Sequence, residues 1–61
     1  MKIEEFDKVR LRSGLTASIV EILGNGEAFL ADVDYDDDIE TEFIHPEDIV
    51  EVLRKRNHSV L

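Results

Sequence analysis

The chain of 61 residues contains no cysteine, no tryptophan and a single proline. Without cysteine, neither a disulfide framework nor a cysteine-ligated zinc site can support the fold. Stability must therefore come from a compact apolar core, with self-association left open as a supplement. A chain this short buries only about 60% of the surface that its unfolded form exposes, so the margin of stability is small. The lack of cysteine fits a reducing cytoplasm, where we expect the protein to reside.

Long apolar runs are also missing. No stretch approaches the about 18 apolar residues of a membrane-spanning helix, and residues 1–5 lack the apolar centre of a signal peptide. We therefore expect a soluble, unprocessed protein with no membrane partner. Apolar residues nevertheless make up 43% of the chain, which favours a globular domain over a disordered one.

Charge of one sign dominates the chain, with 15 acidic residues against 7 basic ones and a formal net charge of −8. All the acids lie within residues 1–53, whereas residues 54–61 begin with Arg-Lys-Arg and form a basic, polar stretch. We interpret residues 1–53 as one domain and residues 54–61 as a basic, flexible tail. The acidic domain repels nucleic acid and attracts cationic surfaces.

The apolar pattern of the first half predicts strands, because it has a period of two. Residues 8–12 alternate basic and apolar side chains, which predicts a first strand with a cationic outer face. Residues 15–23 form a second run with β-branched side chains on both parities, which indicates burial on both sides or a bulge. Residues 24–26, Gly-Asn-Gly, tolerate positive φ and predict a hairpin into the next strand.

The second half predicts three more strands. In residues 29–35, apolar and aromatic side chains occupy the odd positions, and Leu30, Asp32 and Asp34 share the other face, so the acids are expected to point outward. Residues 36–38, three aspartates, are interpreted as the turn. The fourth strand, residues 39–44, is expected to direct Glu40 and Glu42 outward. Residues 46–48, Pro-Glu-Asp, suit a single helical turn before a closing strand at residues 49–53.

Five short strands with one helical turn before the last predict an all-β fold, a small five-stranded SH3-like barrel. Its predicted core consists of Val9, Leu11, Ile19, Ile22, Phe29, Ala31, Val33, Phe43, Ile49 and Val52.

Two segments carry a resemblance to known families. Residues 7–14 followed by residues 17–22 resemble the opening of KOW-type barrels, which have the pattern Gly-x-x-Gly-x-Val-x-x-Ile, although Ala17 replaces the second glycine. Residues 6–53 resemble small uncharacterised bacterial SH3-like domains with an acidic hairpin and a Pro-Glu-Asp-Ile turn. The first resemblance implies contacts with RNA or ribosomal protein, and the second implies a small stand-alone bacterial or mobile-element protein.

The loops argue against nucleic-acid binding. The KOW loops that contact RNA are usually basic, whereas residues 24–27 and 36–38 carry acids, and carboxylates near phosphates weaken association. Phe29 and Tyr35 are predicted to face inward, so no stacking platform is evident. A nucleic-acid-associated role is therefore an alternative, carried by Lys8, Arg10, Arg12 and the tail.

The acidic run from Asp32 to Glu40 invites comparison with an EF-hand calcium loop. Counting from Asp32, the sixth position requires glycine and holds Asp37, while the twelfth requires glutamate and holds Phe43. The sequence therefore predicts neither a metal site nor a cofactor. We also predict that the protein is not an enzyme, because twelve residues separate its two histidines and adjacent aspartates at a turn share one environment.

Two classes of function remain. The first is a protein-binding module, such as an inhibitor or antitoxin-like protein, that presents the hairpin from Asp34 to Glu42 to a basic partner. The second is a structural or adaptor barrel, whose recognition uses an exposed strand edge or an apolar groove. Only the first should lose its partner as ionic strength rises. The predicted contact residues of the first class are Asp34, Asp36, Asp37, Asp38 and Glu40.

Overall fold

The computed structural model describes residues 2–54, which form an all-β fold as the sequence predicts. Residues 55–61, most of the predicted tail, lie outside the described residues. A short 3-10 helix, Pro46–Asp48, precedes the last strand at the position expected for a helical turn. The five strands are β1 (Lys8–Leu11), β2 (Thr16–Leu23), β3 (Ala28–Asp34), β4 (Ile39–Ile44) and β5 (Ile49–Arg54).

All strand pairs are antiparallel, and the order across the sheet is β4-β3-β2-β1-β5. The first four strands therefore form a meander, and β5 returns to pair with β1. Strand pairing does not close the sheet, because β4 and β5 stand at its two edges. The predicted five-stranded antiparallel architecture is confirmed, while its closure into a barrel remains a prediction.

One face of the sheet carries the core. Seven of the ten predicted core residues are buried, and Ile22 and Val52 pack partly buried against them. The prediction for Phe43 is wrong, because 69% of its surface is exposed and the neighbouring Ile44 is buried instead. The buried apolar residues are Val9, Leu11, Ala17, Ile19, Phe29, Ala31, Val33, Ile44 and Ile49.

The burial of Ile44 instead of Phe43 follows from the length of the turn before β4. The backbones of Tyr35 and Asp38 exchange hydrogen bonds of 2.8 and 3.3 Å, so the loop has two residues rather than the three assumed from the sequence. Ile44 then lies opposite Phe29. A shift of one residue moves every side chain of a strand to the other face. Glu40 and Glu42 therefore lie on the core face, contrary to the prediction that they point outward.

The β2–β3 hairpin agrees with the sequence. Its register shifts between Ile19 and Glu21, which leaves Val20 as the extra residue of a bulge. This bulge explains why β2 carries β-branched side chains at both odd and even positions. The predicted glycine turn connects the two strands, and Gly24 and Gly26 adopt φ values of +60° and +93°. Such backbone conformations favour glycine.

A tight turn of residues 4–7 precedes β1. The Asp7 amide donates to the Glu4 carbonyl at 3.1 Å, and the Glu4 amide donates to Oδ2 of the fully buried Asp7 at 2.9 Å. Phe6, the third residue of the turn, has a φ of +71°. A type II turn requires positive φ at that position and normally places glycine there. The turn therefore holds a bulky side chain in a strained conformation.

Candidate functional site

The β3–β4 hairpin contains the predicted site, and it has no basic residue of its own. Residues 13–53 contain no lysine or arginine, whereas residues 32–42 contain seven acids. The ion pair between Arg10 and Glu51 at 3.7 Å and the contact between His45 and Asp48 at 4.0 Å both lie outside the hairpin. The hairpin is thus a concentrated patch of negative charge.

Three aspartates form the tip of the hairpin. Asp36 and Asp37 are the two loop residues, and Asp38 closes the turn with Tyr35. The side chains of all three aspartates are exposed. Asp38 also accepts a hydrogen bond of 2.8 Å at Oδ1 from the amide of Ile39, which holds its carboxylate at the start of β4. The tip therefore offers solvent-accessible oxygens at three consecutive positions.

The register separates the other two predicted contact residues. Asp34 lies opposite Ile39, and Glu40 lies opposite Val33. Because directly opposed residues share a face and successive residues alternate, Asp34 and Glu40 lie on opposite faces of the hairpin. The five predicted residues therefore do not form a single ridge. They form a tip flanked by one exposed acid on each face.

The outer face of the hairpin combines acids with exposed apolar side chains. Asp32 lies opposite Thr41, whose hydroxyl donates a hydrogen bond of 2.7 Å to Oδ1 of the aspartate. On either side of Thr41, Ile39 and Phe43 are 63% and 69% exposed. The apolar periodicity did not predict this exposed pair, because it placed Phe43 in the core.

On the inner face, a groove of about 400 Å³ runs between the hairpin and the β1–β2 turn. Tyr35 lies at the groove and donates a hydrogen bond of 2.6 Å to Oε2 of Glu42. This hydrogen bond raises the pKa of Tyr35, and burial and the negative charges of Glu42 and Glu40 raise it further. The residues that line the groove include Leu11, Arg12, Leu15, Val33, Tyr35, Glu42, Ile44 and Asp48.

The arginines of the alternative, nucleic-acid-associated site are engaged within the fold. Arg10 forms the ion pair with Glu51 and donates to the carbonyl of Gly14 at 3.3 Å. Arg12 donates from Nη2 and Nε to the carbonyl of Glu47 at 2.7 and 3.2 Å. Arg10 thus links β1 to β5, and Arg12 links the turn after β1 to the 3-10 helix before β5. Lys8 is half-buried on the same strand.

The structure describes one of the two histidines, His45, whose Nδ1 lies 4.0 Å from Asp48. Within residues 2–54, no three histidine or acidic side chains converge in a geometry that could hold a metal ion. The same residues contain no helix long and apolar enough to cross a membrane.

Comparisons with known protein families, curated proteins and solved structures gave no match to this chain.

Proposed function

We propose that the protein is a small acidic protein-binding module that docks a basic protein through its β3–β4 hairpin, in the manner of an inhibitor or antitoxin-like protein. The observation that supports this proposal is the cluster of seven acids in residues 32–42 with no lysine or arginine in residues 13–53. The contact residues are those of the tip and its two flanks, Asp34, Asp36, Asp37, Asp38 and Glu40.

The proposal rests on electrostatics. Carboxylates this close together repel one another in the free protein, and a cationic partner relieves that repulsion. A concentrated field of one sign also steers an oppositely charged partner and accelerates the encounter. Exposed aspartates at the tip suit charge-assisted hydrogen bonds to arginine and lysine, which are stronger than bonds between neutral groups.

The test begins with affinity capture of the partner from the native host at low and high salt, followed by binding kinetics with the purified partner. Replacing Asp36, Asp37 and Asp38 together by asparagine should slow association several-fold and flatten its dependence on salt. The matched control replaces Glu5, Glu21 and Glu27 by glutamine, which removes the same charge from exposed positions outside the hairpin. This control should keep most of the association rate.

Unchanged association of the aspartate variant at low salt would mean that the tip serves solubility alone. Equal losses in the two triple variants would assign the effect to net charge rather than to the hairpin. Either result would favour the structural or adaptor role over the proposed one.

A further inference from the structure

The turn before β4 determines which backbone groups of this strand point toward the open edge of the sheet. In an antiparallel ladder, hydrogen-bonded pairs alternate with pairs that are not hydrogen-bonded. Because Tyr35 and Asp38 exchange both bonds, residues 40, 42 and 44 bond to β3, while residues 39, 41 and 43 turn their backbone groups outward. The Ile39 amide is satisfied by Asp38. The amides and carbonyls of Thr41 and Phe43 therefore face the open edge.

This edge lacks most of the features that normally prevent strand pairing. Natural edge strands are blunted by proline, lysine, bulges or inward-pointing charges, and of these β4 has only the charges of Glu40 and Glu42. The β4 strand contains neither proline nor lysine, and all six residues pair with β3 without a register shift. The opposite edge, β5, has two register shifts in its pairing with β1. Ile39 and Phe43 are also exposed beside the free backbone groups. β4 is thus the regular edge of the sheet.

The acids on β4 disfavour pairing with a second copy of the chain. An antiparallel two-fold pairing centred on Thr41 would match Ile39 with the copy's Phe43, and it would also place Glu40 opposite the copy's Glu42 twice. Like charges directly opposite each other destabilise a sheet. Lysine or arginine at the facing positions would turn this repulsion into attraction. The edge thus discriminates between acidic and basic strands.

We propose that β4 binds an extended segment of the basic partner as an added strand. In that segment, apolar residues contact Ile39 and Phe43 on one face, and alternating lysine or arginine residues contact Glu40 and Glu42 on the other. Backbone hydrogen bonds to Thr41 and Phe43 supply affinity, and the alternation supplies specificity. The inference rests on the proposed function in requiring a basic partner, and it adds the partner's conformation and its sequence pattern.

A pair of synthetic peptides tests the geometry without the natural partner. The probe is acetyl-Lys-Val-Lys-Val-Lys-Val-Lys-amide, and the control, acetyl-Lys-Lys-Val-Val-Val-Lys-Lys-amide, has the same composition and charge without the alternation. Hydrogen exchange is followed by NMR on the labelled protein. At saturation, the alternating peptide should slow exchange of the Thr41 and Phe43 amides at least about 10-fold, whereas the control should leave both amides unchanged.

Substitution of Thr41 tests the same contact by changing the protein instead of the peptide. Thr41→Pro removes an outward amide without breaking a bond to β3, because proline is tolerated at edge positions of this kind. It should weaken binding of the alternating peptide at least about 10-fold. Thr41→Val is the matched control, since it also loses the hydroxyl bond to Asp32 and keeps the amide. If the proline variant does not fold, Phe43→Lys, which places a cation on the edge, should weaken binding similarly.

The results separate this inference from the proposed function. Loss of binding to the captured partner in the Thr41→Pro variant, with full binding of that partner by the triple asparagine variant of the tip, supports the edge and contradicts a contact through the tip. Equal protection by both peptides, or binding without protection of Thr41 and Phe43, overturns the added strand even if the tip is required. Dimerisation of the protein alone through β4 also overturns it.

Discussion

The hydroxyl of Tyr35 donates a hydrogen bond of 2.6 Å to Oε2 of Glu42, across the β3–β4 hairpin. The two residues approach because the two-residue turn places Glu42 on the core face, opposite Ala31. The phenol supplies a donor to one carboxylate of a hairpin that contains no lysine or arginine of its own. The contact thus couples the protonation of the tyrosine to the charge of the hairpin.

The pH dependence of Tyr35 follows from this contact. Its pKa is raised above the ordinary value of 10.0, chiefly by the hydrogen bond to Glu42. A group whose pKa is raised on folding contributes stability that is complete below the unfolded-state value and is lost as pH rises through the folded-state value. Stability should therefore fall above about pH 10 as the tyrosinate forms.

Glu42→Gln should lower the pKa of Tyr35 toward its ordinary value, because the carboxylate charge is removed. The chain has one tyrosine, so ultraviolet absorbance of tyrosinate reports this residue alone. Glu51→Gln is a control for charge at a distant strand. A Tyr35 titration that does not change in the Glu42 variant would show that the hydrogen bond does not form in solution.

Phe29 and Phe43 should respond differently to truncation. Phe29 is 3% exposed in the core, so Phe29→Ala should destabilise the protein by about 3 to 5 kcal/mol, enough to unfold a domain of this size. Phe43→Ala, on the exposed face of β4, should change stability by less than about 0.5 kcal/mol. Urea denaturation followed by circular dichroism measures both. Equal losses would contradict the register described for β4.

Phe6→Gly should be more stable than Phe6→Ala, because both variants lose the contacts of the ring and only glycine adopts positive φ without strain. We expect a difference of about 0.5 to 1 kcal/mol, the relief of left-handed strain less the greater entropy of glycine in the unfolded chain. Thermal denaturation of the two variants provides the comparison. Equal stability of the two would contradict the strained φ at this position.

Salt should stabilise the isolated protein, since the seven acids of residues 32–42 repel one another and added ions screen them. Calcium chloride should raise the melting temperature no more than sodium chloride at equal ionic strength. The measurement is thermal denaturation over a range of concentrations of each salt. A saturable rise at micromolar calcium would reveal a specific metal site in the hairpin.

The sequence predicted the all-β class, the bounds of β4 and the glycine hairpin, because these depend on local periodicity and turn residues. It did not predict which face of β4 is buried. Apolar residues occupy both parities of that strand, with Ile39 and Phe43 on one and Ile44 on the other. Only the length of the turn selects between them, and three consecutive aspartates do not indicate how many belong to the loop.

Some features of the candidate site could likewise be predicted from the sequence, and others could not. The concentration of acids could be read from composition, because it requires no knowledge of register. The contact between Tyr35 and Glu42 depends on the register of the hairpin, and that between Arg12 and the Glu47 carbonyl joins residues 35 positions apart. The sequence around Tyr35 does not indicate a contact with Glu42, and the sequence around Arg12 does not indicate one with Glu47. The open edge at β4 likewise follows from strand order, which local periodicity does not determine.

The position of β1 has a consequence for proteolysis. This strand lies between β2 and β5, and three of the four basic residues before Arg54, namely Lys8, Arg10 and Arg12, lie on it or directly after it. Trypsin cleaves after lysine and arginine, and it requires an extended, accessible backbone. Cleavage after Lys8 or Arg10, which lie within β1, must wait until this strand separates from both neighbours, so its rate follows the population of opened molecules. Cleavage within this interior strand thus makes trypsin a probe of the sheet's opening, because residues 13–53 contain no other site for the protease.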